Sequence, residues 1–265
     1  MHIALLPWLC SPDDGSPLTL QAAESRGDTV QAGTLTDGAG RVFPIDDGIP
    51  RLLPENLLAA QTSEIAARDA QVGDYDRMTG LHLFGTIEIP LTLRALSPRP
   101  GDRLLEAGCG TGRMTRTLAK RVGEMAAVDF SFESLRVCAR KLADAGIVNV
   151  HLAQADLCAL PFAPETFDRV LSCQVLEHVP GPDARRRAIE SLARVAKPGA
   201  TLALSAYQHS LITRLLGEKE GEHDGGIPFF RFTQRELCDT LAAAWDVRFI
   251  TPALVYLHLA RCTRA

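Results

Sequence analysis

The segment that most constrains the fold is a short apolar run followed at once by a glycine-rich loop, Leu104-Leu-Glu-Ala-Gly-Cys-Gly-Thr-Gly112. An apolar run of this length is typical of a buried strand, and residues 113–121 have helical character. Glycines permit positive φ angles and let a ligand approach the backbone closely. The segment therefore predicts a strand, a tight loop and a helix, a unit that ligand-binding α/β folds share.

The same alternation of strand and helix continues to the end of the chain. The predicted strands span residues 103–107, 125–129, 148–153, 167–173, 200–206, 247–251 and 254–260, and the predicted helices span 132–145, 183–196 and 233–244. Such alternation predicts a mostly parallel sheet with helices on both faces. The last two strands are separated by too few residues for a crossover helix, so we expect them to pair antiparallel.

Residue composition and apolar patterning divide the chain into three regions. Residues 1–54 are rich in turn residues and predict a small β-rich unit, 55–98 predict a helical linker or cap, and 99–265 predict the alternating domain. Pro90 is expected to kink or split the second region, which also has a predicted break near residues 71–75.

Three residues are predicted to cap helices. Asp183 is expected to be the N-cap of the helix over 183–196. Thr233 and Glu236 have the spacing of a capping box.

Two details separate the glycine loop from the dinucleotide-binding fingerprint. Its glycines follow the spacing G-x-G-x-G instead of G-x-G-x-x-G. Glu106 also stands just before the first glycine, where it would repel a pyrophosphate but suit a cationic amino-acid group. We interpret the loop as a cofactor site, and the alternative is a simple tight turn.

Two further carboxylates stand at or just after the ends of predicted strands. Asp129 stands 21 residues after Gly108 (129 − 108), close to the spacing of about 20 at which a ribose-binding acid occurs. Its alternative role is the N-cap of the next helix. Asp156 follows the third strand, where a carboxylate can accept a hydrogen bond from an adenine amino group while Leu157 packs on the ring. Its alternative role is that of a turn aspartate.

Taken in order, these motifs resemble a known family. The segments that carry the resemblance are Leu-Glu-Ala-Gly-Cys-Gly-Thr-Gly, Val-Asp-Phe-Ser, Ala-Asp-Leu with Leu-Pro-Phe, Phe-Asp-Arg-Val, Val-Leu-Glu-His-Val and Lys-Pro-Gly-Ala. They resemble the class I S-adenosylmethionine-dependent methyltransferases, and most of all the group that contains the ubiquinone- and menaquinone-pathway enzymes. The resemblance implies a Rossmann-like, doubly wound, seven-stranded sheet with an antiparallel last strand. It leaves the acceptor open.

The resemblance also implies S-adenosylmethionine as cofactor and a role for each site residue. The implied residues are Glu106, Gly108, Cys109, Gly110, Thr111 and Gly112 for the methionine part, Asp129 for the ribose, Phe130, Asp156 and Leu157 for the adenine, and Cys173 and Gln174 near the sulfur. Methyl transfer is an in-line displacement, so the protein mainly positions acceptor, methyl and sulfur on one line.

A catalytic base is not dictated by the family, because a neutral nitrogen acceptor needs none whereas a hydroxyl or carbon acceptor does. His178, in Leu-Glu-His-Val, is expected near the transferable methyl and is the first candidate for a general base. His209 is the second candidate, and His223 is a third. The alternative for each is a structural or surface histidine.

The long connection over residues 207–232 is interpreted as a lid over the acceptor, because long loops are usually functional or disordered. Gly225-Gly226 would be its hinge, next to the apolar Ile-Pro-Phe-Phe230. The alternative is a solvated insertion with an aromatic patch in the core.

The amino-terminal region carries a resemblance of its own. Its most specific part is Phe43-Pro-Ile-Asp-Asp-Gly-Ile-Pro-Arg-Leu-Leu-Pro54, which resembles the small zinc-ribbon-like domain of methyltransferase activator subunits. Such domains hold zinc with four cysteines, but here Cys10 alone remains, with Asp13, Thr36 and Ala39 at the other places. Threonine and alanine cannot supply thiolate ligands, so we expect no metal.

Composition narrows the choice of function. A formal net charge of −4 gives no basic excess, so nucleic acid is not the expected partner. There is no apolar run of about eighteen residues and no signal-like start, and the seven cysteines are scattered, so we expect no membrane span and a cytoplasmic location. The expected function is methyl transfer to a small molecule. An RNA methyltransferase and a non-catalytic S-adenosylmethionine-binding protein are the alternatives.

Overall fold

The computed structural model describes residues 1–57, 65–66, 68–69, 79–210, 215, 218–223, 226–253 and 256–265, with the backbone alone for 79–86. The predicted break near residues 71–75 and Gly225 of the predicted hinge lie outside the described residues.

Within these residues the chain forms strands and helices that alternate after residue 100. The strands are β1 (Thr19–Arg26), β2 (Thr29–Thr36), β3 (Val42–Asp46), β4 (Ile49–Leu52), β5 (Arg103–Ala107), β6 (Glu124–Asp129), β7 (Val150–Ala155), β8 (Phe167–Cys173), β9 (Ala196–Tyr207), β10 (Glu220–His223), β11 (Ile227–Phe230), β12 (Asp246–Ala253) and β13 (Leu257–Thr263). The helices are α1 (Thr79–Leu96), α2 (Thr115–Leu118), α3 (Phe132–Asp144), α4 (Gly181–Val195) and α5 (Gln234–Leu241).

The carboxyl-terminal strands form a sheet in the order β7-β6-β5-β8-β9-β13-β12. Neighbours from β7 to β9 are parallel, whereas β13 runs antiparallel to both β9 and β12. These seven strands confirm the predicted mostly parallel arrangement with an antiparallel last strand. The short connection between β12 and β13 leaves no room for a crossover helix, which is why their pairing is antiparallel.

The amino-terminal strands extend this sheet instead of forming one of their own. Strands β1 to β4 pair antiparallel in sequence, and β4 then pairs in parallel with β7, with Arg51 opposite Gln154 and Leu52 opposite Ala155. The sheet is therefore longer than the seven strands predicted. Nothing in the sequence of β4 shows which sheet edge it joins.

Side chains of successive strand residues enter two cores, one on each face of the sheet. Leu104 packs with Leu135 and Cys138 of α3, whereas Leu105 packs with Ile189 and Leu192 of α4. The residues alternate because neighbouring side chains of a strand point to opposite faces. Helices on both faces are what the strand–helix alternation predicts.

Some predicted helix ends are corrected. Helix α4 begins at Gly181 with Pro180 as its N-cap, so Asp183 lies in the first turn and is not the cap. Helix α1 runs unbroken past Pro90, so the predicted split is wrong, because buried residues on both sides, Glu88 and Leu96, hold it in place. The capping box of Thr233 and Glu236 is confirmed.

Further element boundaries differ from the prediction, and strand β13, predicted over 254–260, spans Leu257–Thr263. The helix predicted over 113–121 is the short α2 followed by a 3-10 turn, Ala119–Arg121. Strand β7 begins and ends two residues later than predicted.

A polar cluster occupies the turn where the zinc-ribbon resemblance would place ligands. Asp37 accepts hydrogen bonds from Ser11 Oγ at 2.8 Å, Arg41 Nε at 2.6 Å and the Ala39 N–H at 3.0 Å. Burial opposes ionisation of Asp37, but these hydrogen bonds outweigh it and lower its pKa to about 2. A charge-assisted cluster therefore holds this turn. The described residues contain no group of three or more His, Cys, Asp or Glu side chains arranged to hold a metal ion.

None of the described helices combines the length and the apolar character that crossing a bilayer requires.

Candidate active site

A cavity of about 1280 Å³ opens at the carboxyl ends of the parallel strands. Ala107, Asp129, Ala155 and Cys173, the last residues of β5, β6, β7 and β8, all line it. This is the edge at which open α/β sheets bind ligands. Apart from Gly112 and His209, every residue predicted for the site lines this cavity.

The glycine loop forms one wall with its backbone. Gly108 has a φ of +86°, and a Cβ there would lie 2.1 Å from Val175 Cγ2, so no other residue fits. An ideal Cβ on Gly110 has no atom within 4 Å, so the backbone at this position faces open space in the cavity. Gly112 instead packs against Cys138, whose Sγ lies 2.7 Å from where a Cβ would be, so it serves the contact with α3.

Glu106 is buried beneath the loop, with 2% of its surface exposed. Its carboxyl group accepts a hydrogen bond from Thr115 Oγ1 at 2.7 Å. Burial raises the pKa of Glu106 to about 8, against the opposing effects of Thr115 and the Arg113 charge. A positive ligand charge in the cavity would therefore stabilise the ionised form of this acid.

Asp129 ties the glycine loop to the start of α3. Its Oδ2 accepts the Gly110 N–H at 2.7 Å, and its Oδ1 accepts the Ser131 N–H at 2.9 Å. The N-cap of α3 is Ser131, whose side chain accepts the Ser134 N–H. Asp129 therefore does not have the N-cap role considered as its alternative. Burial raises the pKa of Asp129 as well, which again favours a ligand with donor groups or positive charge.

Asp156 has the turn role considered for it, and it also faces the cavity. It caps the 3-10 turn Leu157–Ala159, accepting the Cys158 N–H on Oδ1 at 2.8 Å, and it lines the cavity next to Leu157. The local turn fixes the carboxylate at the cavity wall.

The residues after β8 approach the glycine loop from the other side. Gln174 has a φ of +57° and donates its backbone N–H to Ser205 O at 2.9 Å, which fixes the turn. Its side-chain amide donates to both oxygens of Glu88, at 2.9 and 3.0 Å. Glu88 also accepts from Arg113 Nη1 at 2.7 Å, so one buried carboxylate of α1 joins both sides of the cavity.

Sequence reasoning missed Glu88, which holds two lining residues, and three lining residues in the loop after β4. Glu88 did carry a signal, because it is a lone acid within the apolar stretch Thr-Ile-Glu-Ile-Pro. Such an acid is expected to be paired when it is buried. Pro54, Asn56 and Leu57 line the cavity, and they carry no comparable signal.

His178 sits at the cavity wall in the 3-10 turn Leu176–His178. Its Nδ1 lies 2.8 Å from the Pro228 carbonyl oxygen, which can only accept, so Nδ1 carries the proton. Burial lowers the pKa of His178 to about 3. The ring is therefore neutral near pH 7, with an unprotonated Nε2.

Aromatic side chains continue the wall beyond His178. The ring centroids of Tyr207 and His223 each lie 5.7 Å from that of His178, and 5.8 Å from each other. His223 stands on the hairpin of β10 and β11, which lies within the predicted lid. His209 does not line the cavity, and its backbone N–H donates to Phe232 O at 2.7 Å.

Comparison with known proteins agrees with this geometry. Residues 105–204 match the family model described as a methyltransferase domain. The ubiquinone/menaquinone biosynthesis C-methyltransferase UbiE of Shewanella pealeana is 35% identical over 150 residues, which cover 53% of this chain and 59% of that protein. Residues 105–204 therefore carry the sequence pattern of a methyltransferase domain.

A second relative is similar over a comparable share of the chain, and a solved structure shares the fold. The demethylmenaquinone methyltransferase of Clavibacter sepedonicus is 32% identical over 57% of this chain and 60% of its own length. The chain thus spans about three fifths of the curated relatives it matches. The DhpI structure, a complex with S-adenosylhomocysteine (SAH), matches 78% of this chain and 97% of its own with a TM-score of 0.61 and 22% identity, which shows the shared fold.

The cavity fits S-adenosylmethionine, the cofactor that the sequence resemblance implies. The open backbone at Gly110 leaves room for close approach of a ligand. The acids Glu106 and Asp129, whose pKa values are raised, suit a ligand that brings a positive charge and hydroxyl donors.

Proposed function

We propose that this chain transfers a methyl group from S-adenosylmethionine to a small-molecule acceptor that binds against the aromatic wall. The observation that carries the proposal is the continuity of one cavity, which runs from Glu106 and Asp129 to His178, Tyr207 and His223. The proposed cofactor residues and the aromatic wall thus line the same cavity.

The size of the cavity supports two ligands. Its volume of about 1280 Å³ exceeds the roughly 300–1,000 Å³ of a typical small-molecule site. A cofactor and a compact acceptor together account for such a volume better than either alone. Ile227 lines the cavity together with the rings of His178, Tyr207 and His223. This apolar and aromatic lining favours an acceptor with an apolar body.

We assign the cofactor residues as follows. Glu106 and the backbone of the glycine loop hold the methionine part, Asp129 holds the ribose hydroxyls, and Asp156 takes the adenine amino group. Phe130 and Leu157 contact the adenine ring. The hydrogen bonds that already fix Asp129 and Asp156 support these roles, because they orient both carboxylates before a ligand binds.

When bound, S-adenosylmethionine supplies a methyl group on a positively charged sulfur, which is an activated leaving group. The residues of the chain then have to orient the acceptor and exclude competing nucleophiles. Burial raises the pKa of Cys173 to about 12, so its side chain remains a thiol that competes poorly for the methyl group. His178 offers a neutral Nε2 that can accept a hydrogen bond from an acceptor hydroxyl or N–H.

The proposal is tested by incubating the protein with S-adenosylmethionine labelled on its methyl group. A low-molecular-mass extract and purified total RNA of the source organism are supplied in parallel as acceptors. We expect label in a small molecule and none in RNA, and a Glu106→Ala variant, which lacks a cofactor residue, is the negative control.

Label found in RNA alone would replace the small-molecule acceptor with RNA. If the protein binds SAH in a calorimetric titration but methylates neither fraction, it is a binding protein without transfer activity. Either outcome overturns the proposal.

A further inference from the structure

The loop after β4 belongs to the wall of the cofactor cavity. Pro54, Asn56 and Leu57 line it. Strand β4 runs parallel to β7 with Leu52 opposite Ala155, so residues 54–57 leave the sheet alongside the residues that follow Ala155. Those are the residues to which we assign adenine binding, and the amino-terminal strands therefore end at that part of the cavity.

The loop is anchored on its outer side. The Glu55 N–H donates to Asp13 Oδ1 at 3.1 Å. Asp13 in turn lies beside Arg41, with 3.9 Å between Oδ2 and Nε, and Arg41 is paired with Asp37. The charge cluster of the amino-terminal turn thus holds the loop in place.

Arg51 of β4 reaches the adenine side of the cavity through one buried amide. Its Nε donates to Gln154 Oε1 at 2.9 Å, and Gln154 Nε2 donates to the Phe130 carbonyl oxygen at 2.9 Å. Gln154 has 0% of its surface exposed, so it has no water to replace a lost partner. The orientation of the Gln154 amide, and with it the hold on Phe130, depends on Arg51.

A second contact of Arg51 acts on the same turn. Its guanidinium lies over the Phe132 ring, 4.9 Å from the centroid. Phe132 is the first residue of α3, two positions after Phe130. Arg51 therefore touches one end of the turn between β6 and α3 directly and the other end through Gln154.

We propose that Arg51 is a positioning residue for cofactor binding, which fixes Phe130 through Gln154 so that the amino-terminal strands complete the adenine side of the site. The inference rests on the proposed assignment of Phe130 to adenine. It makes these strands a working part of the cofactor site in the same chain.

The test compares two arginines that both join the amino-terminal strands to the domain. Arg136 of α3 pairs with Asp47, with 2.9 Å between Nε and Oδ2, and does not line the cavity. The affinity for SAH is measured by calorimetry, and the melting temperature without ligand is measured alongside, for Arg51→Ala, Arg51→Lys and Arg136→Ala.

We expect Arg51→Ala to weaken SAH binding at least fivefold. Lysine keeps a donor for Gln154, so Arg51→Lys should recover part of the affinity. Arg136→Ala should bind SAH with an affinity within twofold of that of the wild type. This should hold even if its melting temperature falls as far as that of Arg51→Ala.

Three results would overturn the proposal: equal weakening by both alanine variants, no weakening by Arg51→Ala, or no SAH binding by the wild-type protein. Because the readout is binding, failure to find an acceptor would count against the proposed function and leave this measurement intact.

Discussion

Glu88 and Arg113 form an ion pair with 2.7 Å between Oε2 and Nη1, and it joins helix α1 to the residue that follows the glycine loop. Glu88 is 2% exposed, and its carboxylate also accepts from Gln174 and, at 3.3 Å, from Ser205 Oγ. Three separate elements thus meet on one buried charge. Such a charge stabilises a structure only while its partners remain in place.

Replacing Glu88 by glutamine is expected to destabilise the protein by roughly 3 kcal/mol, near the lower end for a broken buried pair, because Arg113 is partly exposed. The free energy of unfolding in urea measures this. Glu133→Gln, which breaks an exposed pair with Arg136, is the matched control and should cost less than about 1 kcal/mol. Equal costs for the two variants would contradict the role given to Glu88.

The substitution His178→Asn distinguishes the roles of the two ring nitrogen atoms. The asparagine amide can still donate to Pro228 O in place of Nδ1, but nothing replaces Nε2. With the acceptor found by the labelling assay, we expect kcat to fall about a hundredfold or more, while SAH affinity stays within twofold.

The control for this substitution is His258→Asn. His258 is also buried and bonded to a backbone carbonyl, Phe232 O at 3.0 Å, but it does not line the cavity. The kcat of His258→Asn should equal that of the wild type.

Because the pKa of His178 is lowered to about 3, this ring should contribute no ionisation to the wild-type rate between pH 5 and 8. A retained kcat in His178→Asn would leave the residue only a structural role.

Asp129→Ala is expected to weaken SAH binding tenfold or more, the equivalent of about 1.4 kcal/mol. The substitution removes the proposed ribose acceptor and also releases the Gly110 and Ser131 N–H groups. Calorimetric titration measures the affinity. Asp168→Ala is the control, because Asp168 likewise accepts a backbone N–H, from Arg103 at 2.9 Å, but lies outside the cavity wall. Unchanged affinity in Asp129→Ala would remove the ribose assignment.

The sequence predicted the elements whose signals are local. The predicted strands 103–107 and 167–173 coincide with β5 and β8, and the acids that follow strands line one cavity because parallel strands end at the same edge. Glu88 was missed because its partners come from parts of the chain that only the fold brings together. The pairing of β4 with β7 was missed for the same reason, since two residues of register carry no sequence pattern of their own.

The local signal for a helix N-cap also failed at the start of α4. Asp183 has the right chemistry for an N-cap, but Pro180 occupies the cap and begins α4 earlier. At the start of α3, the N-cap is Ser131, so the alternative role of Asp129 is wrong, and Asp129 lines the cavity.

Glu177 should make the stability of this protein fall as the pH rises. It is 1% exposed, and neither carboxyl oxygen has a hydrogen-bond partner among the described residues. Burial, with a smaller contribution from the charge of Glu88, raises its pKa from 4.5 to about 8. The folded state therefore holds a proton that the unfolded state releases above pH 4.5, so this stability is complete below pH 4.5 and is lost as the pH rises through 8.

Glu177→Gln removes that titration, so its melting temperature relative to wild type should rise between pH 5 and pH 8.5. A gain of about 3 °C or more corresponds to roughly 1 kcal/mol for a chain of this size. Scanning calorimetry at the two pH values measures it, with Glu190→Gln on the exposed face of α4 as the control that should show no such trend. If the difference between Glu177→Gln and wild type is the same at both pH values, the carboxyl group of Glu177 does not titrate in this range, and the charge it would bury must be stabilised by a partner.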